Sequence, residues 1–344
     1  MRLIDLRSDT VTQPTPAMRQ AMYQAEVGDD VFGEDPTVNR LQEMAAELAG
    51  KEAALLVTSG TQGNLVGVLS HTYRGDEVIV GAEAHVFVYE VAGAAVVGGL
   101  QMRTVSDEKG WPEPALVAAA IRDENIHFPR TGLVCLENTH NRRGGAVVPL
   151  EAMREVSKAA HQRGVPVHVD GARIFNASVY LGLPVRDLVA DADSVTFCLS
   201  KGLSAPVGSL LCGSREYIAR ARRYRKMLGG GMRQAGVLAA AGIVALTQMV
   251  DRLAEDHANA QLLAKGLANI DRIRIDPAKT QTNIVVFEVD PALMSRAAFL
   301  SRLKDEGVLA TMGMGNLVRM VTHYGIEAAD IQAALAAVAR VLKS

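Results

Sequence analysis

Short apolar segments alternate with segments of helical periodicity from about residue 55 to residue 215. The apolar segments that we predict as strands are 77–81, 133–137, 165–170, 194–199 and 208–212, with helical patterns between them at 62–70, 114–123 and 150–163. Strands that are apolar on both faces are typical of a mostly parallel sheet covered by helices on each side. Right-handed crossovers place the carboxyl ends of such strands along one edge, where ligands bind. The sequence therefore predicts an α/β protein with its site at that edge.

The chain length of 344 residues predicts two domains. We assign residues 1–250 to an N-terminal arm and a large domain, and residues 251–344 to a smaller C-terminal α/β domain. In the first part, Thr37 is expected to cap a helix over 38–49, and 235–265 is predicted as one long helix. In the second part, strands are predicted at 283–288 and 317–322, and helices at 296–306 and 328–342.

Charge and composition exclude several classes of protein. The net charge is −2, so no electrostatic footprint for nucleic acid is present, and the basic segment 220–226 is interpreted as a solvated or subunit-facing helix. No segment reaches the roughly 20 apolar residues that a membrane helix requires, and no signal-peptide pattern is present. Cys135, Cys198 and Cys212 follow neither disulfide-framework nor zinc spacing, which favours free thiols in the cytoplasm and no metal site.

Two of the predicted strands end beside residues that suit one cofactor. Strand 165–170 ends at Asp170, with Arg173 shortly after it, and strand 194–199 is followed by Lys201 among small residues. A buried carboxylate needs a cation, and Asp170 has two candidates: Arg173 in a structural ion pair, or the protonated pyridine of pyridoxal phosphate. Lys201 is either a surface lysine or the amine that forms a Schiff base with that cofactor. The pair favours pyridoxal phosphate chemistry.

Three further segments offer ligands for anionic groups. Ser59, Gly60 and Thr61 begin a helix, where amide groups and hydroxyls form a phosphate cradle, although an ordinary N-capped helix is the simpler interpretation of this segment alone. The glycine-rich loop before Arg233 lacks the lysine and hydroxyl of a nucleotide P-loop and leaves the arginine free to meet a phosphate. Arg319 lies in a short apolar strand and suits a substrate carboxylate as well as it suits the surface.

Two histidines are candidates for proton transfer. His85 follows the predicted strand 77–81, and its ring suits stacking on a pyridine or proton transfer. His127 has apolar neighbours. For each histidine taken alone, a packed or solvated side chain is the simpler interpretation.

These segments together resemble the L-threonine aldolase family of pyridoxal phosphate enzymes. The matching segments, beside His85, are LRSDTVT at 6–12, GDDVFG at 28–33, EDPTVN at 34–39, SGTQ at 59–62, LENTHN at 136–141, HVDGAR at 168–173, SKG at 200–202, RKMLGGGMRQ at 225–234 and RMVTH at 319–323. The resemblance runs from the first residues to about 240 and recurs near 320. Each segment is common, whereas the combination is specific.

The resemblance implies the aminotransferase-like fold (fold type I), with a large seven-stranded domain and a small one, and a homotetramer built from dimers with sites between subunits. It implies roles for eleven residues. Lys201 is the Schiff-base lysine, Asp170 pairs with the pyridine nitrogen, His85 stacks on the ring, and Ser59, Gly60 and Thr61 hold the phosphate with Arg233 of a neighbouring subunit. Ser8, Arg173 and Arg319 bind the substrate carboxylate, with Arg173 also near the cofactor, and His127 lies near the substrate hydroxyl. Phe32 stands where many relatives carry tyrosine, which removes a hydroxyl.

The implied reaction is a reversible retro-aldol cleavage of L-threonine, L-allo-threonine or related β-hydroxy-α-amino acids to glycine and an aldehyde. His85, His127 or a water that they hold is the candidate base. Two alternatives remain open at this point: another lyase reaction on the same fold, such as β-elimination, and a non-catalytic relative that binds an amino acid. A nicotinamide dehydrogenase is disfavoured because no G-x-G-x-x-G follows the first strand.

Overall fold

The computed structural model describes residues 3–343, and within them it contains thirteen strands and fourteen α-helices. The strands are β1 (Ile4–Asp5), β2 (Ala53–Val57), β3 (Glu77–Gly81), β4 (Gln101–Val105), β5 (Thr131–Glu137), β6 (Val167–Asp170), β7 (Ser194–Cys198), β8 (Ser209–Gly213), β9 (Ile273–Arg274), β10 (Ile284–Val289), β11 (Val308–Leu309), β12 (Thr311–Met312) and β13 (Leu317–Val321). The helices are α1 (Pro16–Tyr23), α2 (Pro36–Ala49), α3 (Gly60–His71), α4 (His85–Val88), α5 (Gly93–Val96), α6 (Pro114–Ala120), α7 (Leu150–His161), α8 (Ile174–Leu181), α9 (Val185–Leu188), α10 (Arg215–Met227), α11 (Gly236–Gln248), α12 (Leu253–Ala268), α13 (Arg296–Asp305) and α14 (Ala328–Lys343).

A seven-stranded sheet forms the centre of the large part, with strand order β2-β8-β7-β6-β5-β3-β4. Neighbouring strands are parallel except for β8, which runs antiparallel to β2 and β7. Strands β5, β6 and β7 are buried along their whole length because helices cover both faces of the sheet. The mostly parallel seven-stranded sheet expected from the sequence is confirmed.

A second, antiparallel sheet lies in the C-terminal part, with strand order β12-β13-β10-β9. It has a hydrophobic core of its own, to which α12, α13 and α14 contribute. The N-terminal arm joins this part, since β1 pairs in parallel with β11 and Ile4 and Leu6 are buried in the same core. The division of the chain at residue 250 stays a prediction.

Several helices begin at polar caps that the sequence supplies. The Ser59 hydroxyl accepts a hydrogen bond from the Gln62 amide at the start of α3, at 3.1 Å, and Ser214 and Ser295 cap α10 and α13 in the same way. Helix α2 corrects our expectation, because its cap is Asp35 and not Thr37. The Asp35 carboxylate accepts from the Val38 amide at 2.9 Å, and Pro36 occupies the first helical position, which proline favours.

Two other features of secondary structure differ from the expectation. The long helix predicted over 235–265 is two helices, α11 and α12, which meet at an angle of 69°. The break places Glu255 and Asp256 in the first turn of α12, where acidic side chains favour the helix dipole. Strand β4 was not predicted because it is an edge strand with a polar, partly exposed sequence.

Within residues 3–343, no single helix has the length and hydropathy of a membrane span. Only α11 and α12 taken together across their bend meet that standard by length and composition.

Candidate active site

The candidate site lies at the carboxyl edge of the central sheet. Glu137 and Asp170 are the last residues of β5 and β6 and stand opposite each other in the strand register. Lys201 follows the end of β7 by three residues, and His85 begins α4 just after β3. Parallel strands present their carboxyl ends on one edge, so the fold brings residues that are far apart in sequence into one place.

Asp170 is a buried carboxylate, only 2% exposed. Its two oxygens accept hydrogen bonds from the Asn64 side-chain amide of α3, at 2.9 Å, and from the Ala172 backbone amide, at 3.0 Å. No Lys, Arg or His nitrogen of residues 3–343 forms an ion pair with it. The structural ion pair with Arg173 that the sequence left open is therefore wrong, and the carboxylate lacks the cation that a buried charge requires.

His85 and Glu90 complete what we call the anionic cluster, which consists of His85, Glu90, Asn64 and Asp170. One Glu90 oxygen lies 3.0 Å from His85 Nδ1 and accepts from the Asn64 amide at 2.8 Å. The ligand atoms of His85, Glu90 and Asp170 all lie within 4.8 Å of one another. Since Asn64 directs N–H groups at both carboxylates, the arrangement suits a hydrogen-bonded cation better than a directly coordinated metal ion.

Burial and charge shift the pKa values of this cluster. Burial and the nearby Asp170 raise the pKa of Glu90 above its ordinary value, against the hydrogen bonds from His85 and Asn64. Burial disfavours the charged form of His85, but the hydrogen bond to Glu90 and the charge of Asp170 outweigh it and raise the pKa of His85. Lys201 acts in the opposite direction on His85, so its ammonium lies close enough to influence the cluster.

A second group, the cationic cluster, consists of Asp9, Arg173, Asn141 and Arg319. Arg173 is buried and donates two hydrogen bonds to the Asp9 carboxylate, at 2.6 and 2.7 Å. Its remaining nitrogen donates to the Asn141 side-chain oxygen at 3.2 Å, and Arg319 donates to the same oxygen at 3.1 Å. Asn141 thus aligns the two guanidinium groups.

Arg319 carries the unbalanced charge of the cationic cluster. It forms no ion pair with any carboxylate of residues 3–343, and its Nε is buried without a hydrogen-bond partner in that range. Burial and the neighbouring Arg173 lower the pKa of Arg319 to about 10. Asp9 has the opposite character: burial opposes its ionisation, but the charge and hydrogen bonds of Arg173, with Lys201 and Arg319, hold its pKa well below the usual range.

Lys201 lies between the two clusters. Its charge affects both Asp9 and His85, and the side chain is half-buried. The backbone around it is fixed by hydrogen bonds to the Lys201 carbonyl oxygen from the Thr12 hydroxyl, at 3.2 Å, and the Ser204 amide, at 2.8 Å. Within residues 3–343 its ammonium has no carboxylate within ion-pair distance.

The predicted phosphate cradle is the first turn of α3. The backbone N–H groups of Gly60 and Thr61 have no partner within the helix, the Gln62 amide donates to the Ser59 hydroxyl, and Ser59 and Thr61 are exposed. Gly60 is required for packing, because a Cβ atom at this position would lie 2.8 Å from the Cys198 sulfur. The turn therefore combines open donors with a backbone that lies against β7.

Three other residues singled out from the sequence have different surroundings. Ser8 caps a short 3₁₀ turn beside Asp9 and accepts from the Thr10 amide at 3.2 Å. Arg233 is 55% exposed and pairs with Asp29 at 2.8 Å, although its loop contacts Gln62 beside the cradle. Phe32 is 73% exposed.

Within a single chain, His127 lies far from both clusters. It is exposed on the loop that enters β5 at its amino end, whereas Glu137, beside the clusters, is at the carboxyl end. Seven strand residues separate the two ends by about 20 Å.

Sequence reasoning missed four residues of the clusters: Asp9, Asn64, Glu90 and Asn141. Two of them, Asp9 and Asn141, lie inside segments whose resemblance was noted, and polar residues that follow apolar strands were the available signal. Glu90 had no such signal, because its partners are 5 and 26 positions away in sequence and meet it only in the fold.

Comparison with known proteins places these features in context. The family model for beta-eliminating lyases matches residues 5–290. The low specificity L-threonine aldolase of Escherichia coli K12 is 50% identical over 94% of this chain and 95% of its own length. The probable low-specificity L-threonine aldolase 2 of Arabidopsis thaliana is 47% identical over 100% of this chain and 98% of its own.

Solved structures with a similar fold include the threonine aldolase of Leishmania major, with a TM-score of 0.83, 18% identity and coverage of 98% of this chain and 99% of that one. An SPT structure with PLP has a TM-score of 0.77 at 18% identity, over 99% of this chain and 88% of that one.

Proposed function

Because this chain belongs to the low-specificity L-threonine aldolases, within the beta-eliminating lyase family, we propose that it cleaves L-threonine and L-allo-threonine to glycine and acetaldehyde. The chain is a carbon–carbon lyase that depends on pyridoxal phosphate. In the reaction, the Cα–Cβ bond breaks as the β-hydroxyl loses its proton and becomes the aldehyde carbonyl. The Cα atom gains a proton and becomes that of glycine.

The residues of the anionic cluster fit the cofactor. Asp170 is a buried carboxylate with no cation paired to it among residues 3–343, so it would hold a protonated pyridine nitrogen, and His85 would stack on the ring. Lys201 would supply the amine that attaches the cofactor, and Ser59, Gly60 and Thr61 would hold its phosphate. When bound, pyridoxal phosphate supplies the electron sink for cleavage at Cα.

The residues of the cationic cluster bind and orient the amino acid. Arg319, which lacks an acidic partner, takes the substrate carboxylate, with Arg173 and Ser8 beside it. Two fixed guanidinium groups hold a carboxylate in one plane, and this fixes which bond at Cα is aligned for cleavage.

His85 takes the β-hydroxyl proton in this proposal, with a water as the alternative acceptor. Its Nδ1 faces Glu90, so Nε2 is the nitrogen available to the substrate. His127 contributes only if another subunit delivers it, since its loop lies at the opposite edge of the same chain.

The proposed assembly is a homotetramer, a dimer of dimers, with sites shared between subunits. Apolar side chains that are exposed in the single chain support it, among them Phe32 at 73%, Val91 at 90% and Met227 at 71%. A neighbouring subunit would supply Arg233 to the phosphate. We also propose a cytoplasmic location, supported by three buried free cysteines.

The observation that carries the proposal is the pair of buried clusters, one short of a cation and the other short of an anion, with Lys201 between them. The test is to incubate the purified protein with pyridoxal phosphate and each threonine diastereomer, and to measure acetaldehyde and ammonia separately. Aldol cleavage releases acetaldehyde without ammonia, whereas β-elimination releases ammonia.

The Lys201→Ala variant should lose both turnover and the visible absorbance of the lysine-attached cofactor. A yellow, active variant contradicts the assignment of Lys201.

A further inference from the structure

Glu90 is a buried acid to which the proposed reaction gives no role. It is 5% exposed and follows α4 in a loop. One of its oxygens lies 3.0 Å from His85 Nδ1 and 2.8 Å from the Asn64 amide nitrogen. The same Asn64 nitrogen donates to Asp170 at 2.9 Å. A continuous chain of hydrogen bonds therefore connects His85 with the carboxylate at the end of β6.

We propose that Glu90 is a positioning residue that keeps His85 in the tautomer with hydrogen on Nδ1 and, through Asn64, couples its charge to that of Asp170. The inference rests on the proposed function, in which His85 is the base.

The direction of the hydrogen bonds supports this role. An ionised carboxylate only accepts, and Asn64 donates to the same Glu90 oxygen. The His85 nitrogen that faces this oxygen must then be the donor, which leaves the lone pair on Nε2. A base with its lone pair directed away from the protein scaffold is ready to take the substrate proton.

The other charged and polar groups around His85 come from several elements. Asp170 of β6 favours the charged ring, and Lys201 after β7 opposes it. Glu137 of β5 accepts from the His85 backbone amide at 2.6 Å and fixes the start of α4. The Tyr89 ring lies 5.4 Å from the His85 ring and carries no charge at neutral pH. Glu90 is the only one of these groups in hydrogen-bond contact with the imidazole.

A purely structural role is the alternative. If Glu90 were protonated, its hydroxyl would donate to Nδ1, and Nε2 would carry the hydrogen and be unable to act as a base. In that case Glu90 would carry no charge, so its replacement by Gln would leave the titration of His85 unchanged and the two cases are separable.

The experiment uses Glu90→Gln, which keeps the shape and removes the charge. In the full-length protein freed of cofactor, the rate at which diethyl pyrocarbonate modifies His85 is followed against pH by peptide mass spectrometry. We expect the midpoint for His85 to fall by about one pH unit, because a neighbouring negative charge favours the charged ring. His161, which is exposed and pairs with Asp193, should be unchanged in the same digests.

The cofactor-loaded enzyme gives the second measurement. In the pH profile of kcat/KM for L-threonine, the acid limb should also move to lower pH by about one unit. The plateau value of kcat/KM should be about tenfold lower, since the base is weaker. The matched control is Glu77→Gln, because Glu77 is equally buried but lies at the amino end of β3, paired with Arg122. That variant should keep both the His85 midpoint and the pH profile.

An unchanged His85 midpoint in Glu90→Gln overturns the inference, and so does an equal shift in Glu77→Gln. A shifted midpoint with an unmoved pH profile also overturns it, since His85 would then not be the base. If the wild-type protein releases no acetaldehyde, the aldolase proposal fails independently, and the cofactor-free titration still decides whether Glu90 controls His85.

Discussion

The anionic and cationic clusters are both buried at the same sheet edge, and they differ in what they lack. The anionic cluster has two carboxylates and, among residues 3–343, no arginine or lysine in contact, and Asn64 bridges its acids. The cationic cluster has two guanidinium groups and one carboxylate, and Asn141 bridges its bases. An uncompensated buried charge costs stability unless a ligand supplies its partner. The two clusters together therefore suit ligands that present a positive charge to the anionic cluster and a negative charge to the cationic cluster.

The largest effect is expected from breaking the anionic cluster. Asp170→Asn removes the charge that balances the cofactor nitrogen, and kcat/KM for L-threonine should fall roughly a thousandfold, since breaking a buried pair costs about 3–5 kcal/mol. Steady-state kinetics at saturating cofactor measures this. The matched control is Asp256→Asn, because Asp256 is also buried but has its own cation in Arg252. That variant should lose thermal stability while its kcat/KM changes little, and equal loss of activity in both variants would erase the distinction.

A smaller effect is expected from the cationic cluster. Arg319→Gln removes the guanidinium without an acidic partner, and KM for L-threonine should rise roughly a hundredfold, because about 2–5 kcal/mol is lost when one partner of a buried charge pair is truncated. Competition with threoninol, which lacks the carboxylate, sharpens the test. Its inhibition constant should be nearly equal in wild type and variant, and a parallel loss would place Arg319 elsewhere than on the carboxylate.

The bridging amide of the cationic cluster should matter less than the charges that it aligns. Asn141→Ala removes one acceptor shared by Arg173 and Arg319, and a hydrogen bond to a charged group is worth about 1.5–3 kcal/mol, so KM should rise roughly tenfold. Asn141→Asp places a carboxylate between the guanidinium groups and should raise KM further, because it competes with the substrate. If the Asn141→Asp variant binds threonine as well as wild type does, the cationic cluster does not carry an excess of positive charge.

The smallest effect on kcat/KM at neutral pH is expected from changing a buried polar group that has no net charge. His71 and His168 both contact the Ser194 hydroxyl, at 2.7 and 2.8 Å. Burial, with the neighbouring His168, lowers the pKa of His71 to about 3. Burial lowers the pKa of His168 to about 4, although Asp170 opposes the shift.

The sign of the pH effect follows from where the protons bind. Below the ordinary histidine value of about 6.5 the unfolded chain binds protons that the folded chain refuses, so stability is lost as pH falls toward 4. Between pH 7.5 and pH 5.0, urea unfolding should show that His71 accounts for about 2 kcal/mol of lost stability. His71→Gln should lose less stability over that interval and keep kcat/KM at pH 7.5 within about twofold. An equal loss in both proteins would contradict the assignment.

The sequence indicated the interior of the fold better than its edges. Strands β5, β6 and β7 were found because strands buried on both faces are continuously apolar. Strand β4 was missed because an edge strand carries polar residues, and the bend between α11 and α12 was missed because an apolar composition continues across it. The local pattern of apolar and polar residues indicates which segments are buried. It does not indicate the direction in which tertiary packing turns the chain.

The candidate site shows the same limit. Asp170 and Lys201 were found because each stands beside the end of an apolar segment, where a charged residue is conspicuous. The pairing of Arg173 with Asp9, across 164 positions, was not predicted, and neither was the contact of Glu90 with Asn64. These contacts depend on which elements the topology brings together, and a single sequence carries no direct signal of that.

The arm that carries Asp9 has a consequence for how the protein is made. Asp9 meets Arg173 and also Asn283, 274 positions later, and β1 pairs with β11 near residue 308. During synthesis the arm is made well before Asn283 and β11, and it must wait for them before it finds these neighbours. Contacts of such long sequence separation form late in folding. A nascent chain thus acquires a working cationic cluster only after residue 319 has been made.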